Sequence, residues 1–322
     1  MFPRRRGRLD NLTHSLVGAL IGQAGLKKKT GLAMPALIIG ANLPDVDAAC
    51  LFWLEGVEHL GFRRGITHGP PALVLLPLIL AGLLYGYDRW QGSRGKRPAD
   101  RLPVSFKWLF LLSFIGCLTH PALDWLNVYG IRLLEPFSSQ WFYGDTLFII
   151  DLWLWALLGI ATWFSLRREK KGGEWQKPAQ ISLTVASLYI AFQGLLTGAA
   201  EREVTESPTG TDIVIASPPP FWSWERDMIT GGNGLYTLNG DTTFPGVPLD
   251  RCDLEAAREA DSEVDAFLFW SRTPYIVPKE DGTLWLQDAR FSDPRASGRF
   301  EVRLPDDVCA GVKTEPTELR GG

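Results

Sequence analysis

Residues 119–124 read Thr119-His120-Pro121-Ala122-Leu123-Asp124 and lie near the end of an apolar run, residues 108–125. A histidine and an aspartate four residues apart share one face of a helix, so both side chains can reach the same metal ion. Ionisable groups are costly inside an apolar segment of membrane length. The stretch therefore predicts a membrane protein in which a helix contributes this histidine and aspartate to a functional site.

Two further Thr-His pairs and a pair of aspartates precede this stretch, and two more aspartates follow it. Imidazole and carboxylate donors together suit Zn²⁺, or Mn²⁺ and Fe²⁺, better than Mg²⁺ alone. A cation would also offset the cost of burying several carboxylates. We therefore predict a site for one or two divalent ions, with zinc preferred. Its predicted ligands are His14, Asp45, Asp47, His68, His120, Asp124, Asp145 and Asp151.

Some of these residues also have a plain structural explanation. A lone histidine in an apolar segment is more often a hydrogen-bonded core residue than a ligand. Asp145 can be a turn residue, and Asp151 can be a helix N-cap. Arg64 and Arg132 can be ordinary interfacial arginines or can bind a phosphate oxygen, which the arginine fork suits. The sequence leaves these alternatives open.

The 322-residue chain divides sharply in charge. Residues 1–199 carry 21 Lys/Arg and 13 Asp/Glu, a net charge of +8, whereas residues 200–322 carry 12 and 23, a net charge of −11. All four histidines lie at or before His120. We predict a membrane-embedded, hydrolase-like helical domain over 1–199 and an acidic soluble extracytoplasmic domain over 200–322. The sequence has no overall basic patch, so it gives no indication of a nucleic-acid partner.

Six apolar runs predict an all-α polytopic membrane bundle of about five to six helices, because about 20 residues span the hydrocarbon. The runs cover 9–25, 34–54, 71–87, 108–125, 147–166 and 181–199. Pro44 should break the second run beside Asp45 and Asp47. The basic segments 27–29, 88–107 and 167–177 should face the cytoplasm. Following the chain then places the candidate ligands and the C-terminal domain on the opposite side.

The C-terminal region alternates short strand-like pieces with turns, which predicts a small α+β or mostly β domain. The predicted strands are 212–216, 234–243, 283–287 and 298–304, with one helix at 253–267. Cys252 and Cys309 could form a disulfide if this domain lies outside the cytoplasm. Two free thiols are the alternative.

The motifs of the first half resemble the YdjM-like family of bacterial inner-membrane, metal-dependent hydrolases. They read DNLTHS at 10–15, LPDVD at 43–47, RGITHG at 64–69, THPALD at 119–124, RLLEPF at 132–137 and WFYGD at 141–145. The resemblance covers roughly residues 8–165. It implies a multi-pass protein of the bacterial inner membrane, so the side predicted above for the site and the C-terminal domain would be the periplasmic side.

The order of the ligands is also similar to that of zinc-dependent phospholipase C and the P1-type nucleases, helical phosphodiesterases with three zinc ions. This resemblance implies a first metal held by Asp47 or Asp45, His68, His120 and Asp124 and a second held partly by His14. Those enzymes need further histidines, but none follows His120 here. Asp145 and Asp151 would then replace the missing ligands in a one- or two-metal site.

The functional prediction is a membrane-bound metal-dependent hydrolase that acts on a phosphoester in a lipid or an envelope metabolite. Asp45 or Asp47 is the candidate general base, and Arg64 would stabilise negative charge on the substrate. The expected partners are the lipid bilayer and a small-molecule or lipid substrate. Two alternatives stay open: an ion or proton transporter that uses intramembrane His and Asp, and a non-catalytic envelope scaffold.

Overall fold

The computed structural model describes residues 11–205, 212–219, 221–244, 246–292 and 299–309. The helices are α1 (Asn11–Gln23), α2 (Ala33–Gly40), α3 (His59–Phe62), α4 (Pro70–Ser93), α5 (Phe106–Trp125), α6 (Leu152–Lys170), α7 (Gln176–Thr205), α8 (Leu254–Ala260) and α9 (Ser262–Trp270). A 3-10 helix, Leu43–Phe52, follows α2. Asp10, the first residue of the DNLTHS motif, and residue 298 of the last predicted strand lie outside the described residues.

Helices α4, α5 and α7 are long and apolar enough to cross a membrane. A fourth span results if α2 and the following 3-10 helix, which meet at a bend of 51°, are counted as one. Large apolar side chains on the outside fit contact with lipid: Leu75, Ile79 and Leu83 lie on one face of α4 and are 55–67% exposed. The chain is therefore a membrane protein with transmembrane helices.

The described residues hold three or four candidate spans, fewer than the five to six helices predicted. Helix α1 has 13 residues and is about 20 Å long, which is too short for about 30 Å of hydrocarbon. Helix α6 has 19 residues, but its last turn carries Arg167, Arg168 and Lys170, which shortens its apolar part. An apolar run in the sequence thus does not by itself identify a membrane span.

Helix α5 packs closely against α2, and small residues permit this approach. A Cβ atom at Gly116 would lie 2.5 Å from the carbonyl oxygen of Leu37, so no larger residue fits without moving the backbone. One turn further along, His120 Nδ1 lies 2.7 Å from the carbonyl oxygen of Ala41. The close packing of these helices therefore fixes the orientation of a predicted ligand.

The break predicted at Pro44 is present. Helix α2 ends at Gly40, and the chain continues as a 3-10 helix whose first turn contains Asp45. The Asn42 side chain stabilises the bend by donating hydrogen bonds to the Ser15 hydroxyl at 3.0 Å and to a backbone carbonyl at 2.7 Å. The bend lets the chain turn Asp45 toward His120 of α5.

The chain forms two compact units. The first comprises residues 1–47, 64–195 and 218–224, and the second comprises 48–63, 196–217 and 225–322. The predicted domain boundary at residues 199/200 stays a prediction. The compact units differ from it chiefly because residues 48–63 belong with the C-terminal region.

The second unit contains two small antiparallel sheets, in agreement with the α+β prediction. The strands are β1 (Ile213–Ser217), β2 (Asp227–Gly232), β3 (Leu235–Leu238), β4 (Thr242–Thr243), β5 (Pro274–Pro278), β6 (Leu284–Asp288) and β7 (Glu301–Arg303). One sheet has the order β1-β2-β3-β4 and the other β5-β6-β7. Buried apolar side chains such as Ile215, Tyr236 and Tyr275 form a common core. A disulfide joins Cys252 to Cys309.

Candidate metal centre

Three histidines and two aspartates from four segments converge inside the first unit. His14 comes from α1, Asp45 from the 3-10 helix, His68 from the turn before α4, and His120 and Asp124 from α5. Each is at most 8% exposed. They form two groups that could hold a metal ion, His14-His120-Asp124 and Asp45-His68-His120. The ligand atoms within each group lie within 4.8 Å of one another.

The spacing of these atoms fits ligands around a cation better than direct hydrogen bonds. His120 Nε2 lies 3.4 Å from Asp124 Oδ2 and 3.7 Å from Asp45 Oδ1. His68 Nε2 lies 3.5 Å from Asp124 Oδ2. Normal hydrogen bonds between nitrogen and oxygen span about 2.7–3.2 Å. Neighbouring ligands of a tetrahedral ion with bonds of about 2.1 Å lie about 3.4 Å apart.

The backbone determines which nitrogen of His120 faces the cluster. Its Nδ1 must donate to the carbonyl oxygen of Ala41, because that oxygen can only accept. In the neutral ring Nε2 therefore carries a lone pair, and it is buried without a hydrogen-bond partner among the described residues. A lone pair opposite carboxylate oxygens requires a proton or a cation between them. Both candidate groups include His120, so an ion placed at either of them would use this nitrogen.

His68 is oriented in the same way by a hydroxyl and a carboxylate. Thr67 donates its only hydroxyl hydrogen to Asp47 Oδ2 at 3.2 Å, so it accepts from His68 Nδ1, which lies 3.0 Å away. This leaves His68 Nε2 to face Asp124. Burial lowers the pKa of His68 and so favours the neutral ring, the form that binds metals. Asp47 thus orients a candidate ligand through the threonine hydroxyl, as carboxylates commonly orient metal-binding histidines.

Arg64 lies against the cluster with a left-handed backbone, φ +55°. Its Nε is 3.1 Å from Asp124 Oδ2, and its Nη1 donates to the Asn127 side chain at 2.9 Å and to the carbonyl of Gly130 at 3.3 Å. The guanidinium also stacks over Tyr129 at 4.6 Å. The predicted substrate-binding arginine therefore balances the charge of Asp124 in this structure.

His14 completes the cluster on the side of α1. Its ring stacks on that of His120 with centroids 3.8 Å apart, and its Nε2 lies 3.5 Å from Asp124 Oδ1. A cavity of about 20 Å³ adjoins this pair, and polar lining residues include Thr13, Asn127 and Asp151. That volume is enough for one water molecule. The cluster thus has room beside it for one water molecule.

The family model described as YdjM inner membrane protein matches residues 9–200, which contain all of these side chains. The chain belongs to the YdjM inner membrane protein family. The Bacillus subtilis (strain 168) protein YfhP, described as uncharacterized, is 26% identical over 288 residues, which cover 82% of this chain and 80% of YfhP. An alignment of that length extends beyond the family segment into the C-terminal region.

No solved structure matches this YdjM-family chain significantly. The predicted resemblance to the YdjM family is confirmed. The predicted similarity to zinc-dependent phospholipase C and the P1-type nucleases is not shown by the family model or by the match to YfhP. Any likeness to those enzymes therefore rests on the order of the ligands alone.

The last two predicted ligands lie outside both groups of this YdjM-family site. Asp151 caps α6: its Oδ1 accepts from the backbone N–H of Leu154 at 2.8 Å, and its Oδ2 accepts from the Tyr189 hydroxyl at 2.7 Å. Asp145 is buried in a turn with φ +44°. The structure thus brings five of the eight predicted ligands together, with Asp47 directly behind them. Metal binding by each residue stays a prediction.

Sequence reasoning missed two groups that build the site. Asn127 follows Asp124 by three residues, so the two could have been placed on one face. The carbonyl of Ala41 fixes the ring of His120, and a backbone atom leaves no signal in the sequence. The sequence shows a threonine before each of the three histidines of the cluster, but the hydrogen bonds of Thr67 are visible only in the structure.

Proposed function

We propose that this cluster binds one divalent metal ion and that the chain is a membrane-bound metal-dependent hydrolase. The observation that supports it most is that Nε2 of His68 and Nε2 of His120 are buried without hydrogen-bond partners among the described residues. Both face carboxylate oxygens at 3.4–3.7 Å. Zinc is the preferred ion because nitrogen and oxygen donors at this spacing suit tetrahedral binding, whereas manganese and iron(II) accept the same donors.

In this proposal Asp45, His68, His120 and Asp124 are the ligands of the ion. Asp124 is included because its Oδ2 faces both imidazoles. Asp47 is a positioning residue, since its Oδ2 already accepts hydrogen bonds from the backbone of Arg64 at 2.8 Å and from a threonine hydroxyl.

A divalent ion supplies Lewis acidity, which stabilises negative charge in the transition state and activates water near neutral pH. The protein contributes a buried site that excludes bulk water and strengthens electrostatic interactions. Arg64 limits the negative charge of the cluster by pairing with Asp124. The cavity beside His14 has room for a water molecule next to the ligands. The membrane setting favours a phosphoester in a lipid or an envelope metabolite as the substrate.

Activity should depend on a bound ion. We expect the full-length protein in lipid nanodiscs to hydrolyse phosphodiesters or phosphomonoesters, and a strong chelator to lower the rate at least about 100-fold. Added zinc should restore the rate, and His68→Ala should not respond. The screen should include amides as controls. A metal-loaded protein without activity on any phosphoester would refute the proposed reaction.

We also propose that the site and the C-terminal unit lie on the periplasmic side. The disulfide between Cys252 and Cys309 supports this, because such bonds persist in oxidising compartments. The positive-inside rule gives the same orientation if α6 also crosses the membrane, with the basic residues of its last turn at the cytoplasmic face.

Thiol labelling tests that orientation. Cells denatured in an alkylating reagent without reductant should yield protein labelled at the two buried free cysteines, Cys50 and Cys117, alone. The double variant Cys252→Ser/Cys309→Ser should show the same two labels. Four labelled thiols in the native chain would contradict an oxidising location for the C-terminal unit.

Ion transport is the second candidate function, and the 51° bend beside Asp45 favours it. Transporters often place broken helices at their binding sites, usually as corresponding pairs in two repeats. One bent pair is found among the described residues. Zinc flux into proteoliposomes without phosphoester hydrolysis would favour transport over the hydrolase.

A further inference from the structure

A loop connects two segments of the metal cluster but belongs to the other compact unit. Residues 48–63 connect Asp47 to Arg64, and both of those residues lie in the first unit. The backbone N–H of Arg64 donates to Asp47 Oδ2 at 2.8 Å, which ties the two ends of the loop together. Loops with joined ends that pack on their own side chains are often functional.

Helix α9 holds the middle of this loop. The carboxylate of Glu263 accepts a hydrogen bond from the backbone N–H of Val57 at 3.0 Å. The hydroxyl of Ser262 donates to Glu58 at 2.6 Å. Val57 is buried, so its amide would otherwise lack water as a partner. These contacts fix the loop to a helix about 200 residues further along the chain.

Gly56 has no side chain, which allows the carboxylate of Glu263 to approach the backbone of the loop. Its φ is +44°, a conformation that favours glycine. A Cβ atom at this position would overlap the carboxylate of Glu263. The shape of the loop and the position of the carboxylate therefore depend on each other.

We propose that Glu263 is a positioning residue for the metal centre. Because the loop is covalently joined to Asp47 and Arg64, fixing its middle restrains the two residues that orient His68 and pair with Asp124. The C-terminal unit thereby sets the geometry of the ligands through the chain itself. The effect on metal affinity rests on the proposed function, whereas the restraint on Arg64 does not.

The test compares full-length Glu263→Ala with Glu263→Gln, which keeps an oxygen acceptor, and with Asp265→Ala. Asp265 lies on the same helix and pairs with Arg258 instead. Glu263→Ala should speed hydrogen exchange of the amides at 56–58 and of the Arg64 amide about tenfold. It should weaken zinc binding by a similar factor. Glu263→Gln should restore part of both effects, and Asp265→Ala should cause neither.

A second variant changes the loop side of the contact between Gly56 and Glu263. Gly56→Ala should displace the carboxylate and speed exchange at Arg64 while the amides of β5 and β6 stay protected. Faster exchange confined to the loop, with unchanged exchange at Arg64 and unchanged zinc affinity, would overturn the proposal. A wild type that binds no metal but responds at Arg64 would support the positioning link and refute the proposed function.

Discussion

Replacing Asp124 by alanine is expected to abolish tight metal binding and to lower the free energy of unfolding by about 3–5 kcal/mol. The carboxylate faces His68 and His120 as a ligand and also pairs with Arg64, which is only 4% exposed. Its removal takes away the carboxylate that lies 3.1 Å from the Nε of this buried guanidinium. Chemical unfolding and metal titration of the purified protein measure the two effects separately.

The two roles of Asp124 can be separated by a second substitution. Replacing both members of a buried ion pair by apolar residues costs much less than removing one. Asp124→Ala combined with Arg64→Leu should therefore recover most of the lost stability and none of the metal affinity. If Asp124→Ala alone keeps both stability and metal, Asp124 is neither a ligand nor the partner of Arg64.

Replacing His120 by alanine is expected to weaken zinc binding about 100-fold or more, equivalent to about 2.8 kcal/mol. His120 is shared by both ligand groups, and its Nε2 is fixed by the bond from Nδ1 to Ala41. No arrangement of the ion that uses either group survives without it. Isothermal titration with zinc measures the loss.

His59→Asn is the matched control, because His59 is the one histidine of the sequence that lies outside both groups. Its Nδ1 lies 3.1 Å from the carbonyl of Gly56, and the asparagine amide keeps a hydrogen-bond donor for that carbonyl. This variant should bind zinc like the wild type. Equal affinity in the two histidine variants would mean that zinc binds elsewhere.

The parts of the site that local geometry determines were predictable from the sequence. His120 and Asp124 share a helix face by spacing alone, and both reach the cluster. The histidines that follow Thr13 and Thr67 were found because the same dipeptide recurs. Pro44 predicts the bend that turns the chain toward α5.

The parts set by long-range contacts were not predictable. Asp45 and Asp47 are only two residues apart, and the 3-10 geometry decides which one faces His120. Asp151 can be a ligand or a helix cap in sequence, and the Tyr189 hydroxyl, 38 residues away, is one of its partners. Arg64 has no local signal that directs its guanidinium to Asp124. The loop at 48–63 joins the C-terminal unit through a contact with Glu263 that local patterns do not encode.

The metal content of the full-length protein tests the central claim most directly. Protein purified without chelators, incubated with zinc, manganese or iron(II) and then desalted, should retain about one ion per chain, measured by inductively coupled plasma mass spectrometry. The same treatment of His120→Ala should leave almost none. A wild type that retains none of the three ions, or a His120→Ala variant that retains as much as the wild type, would contradict the account.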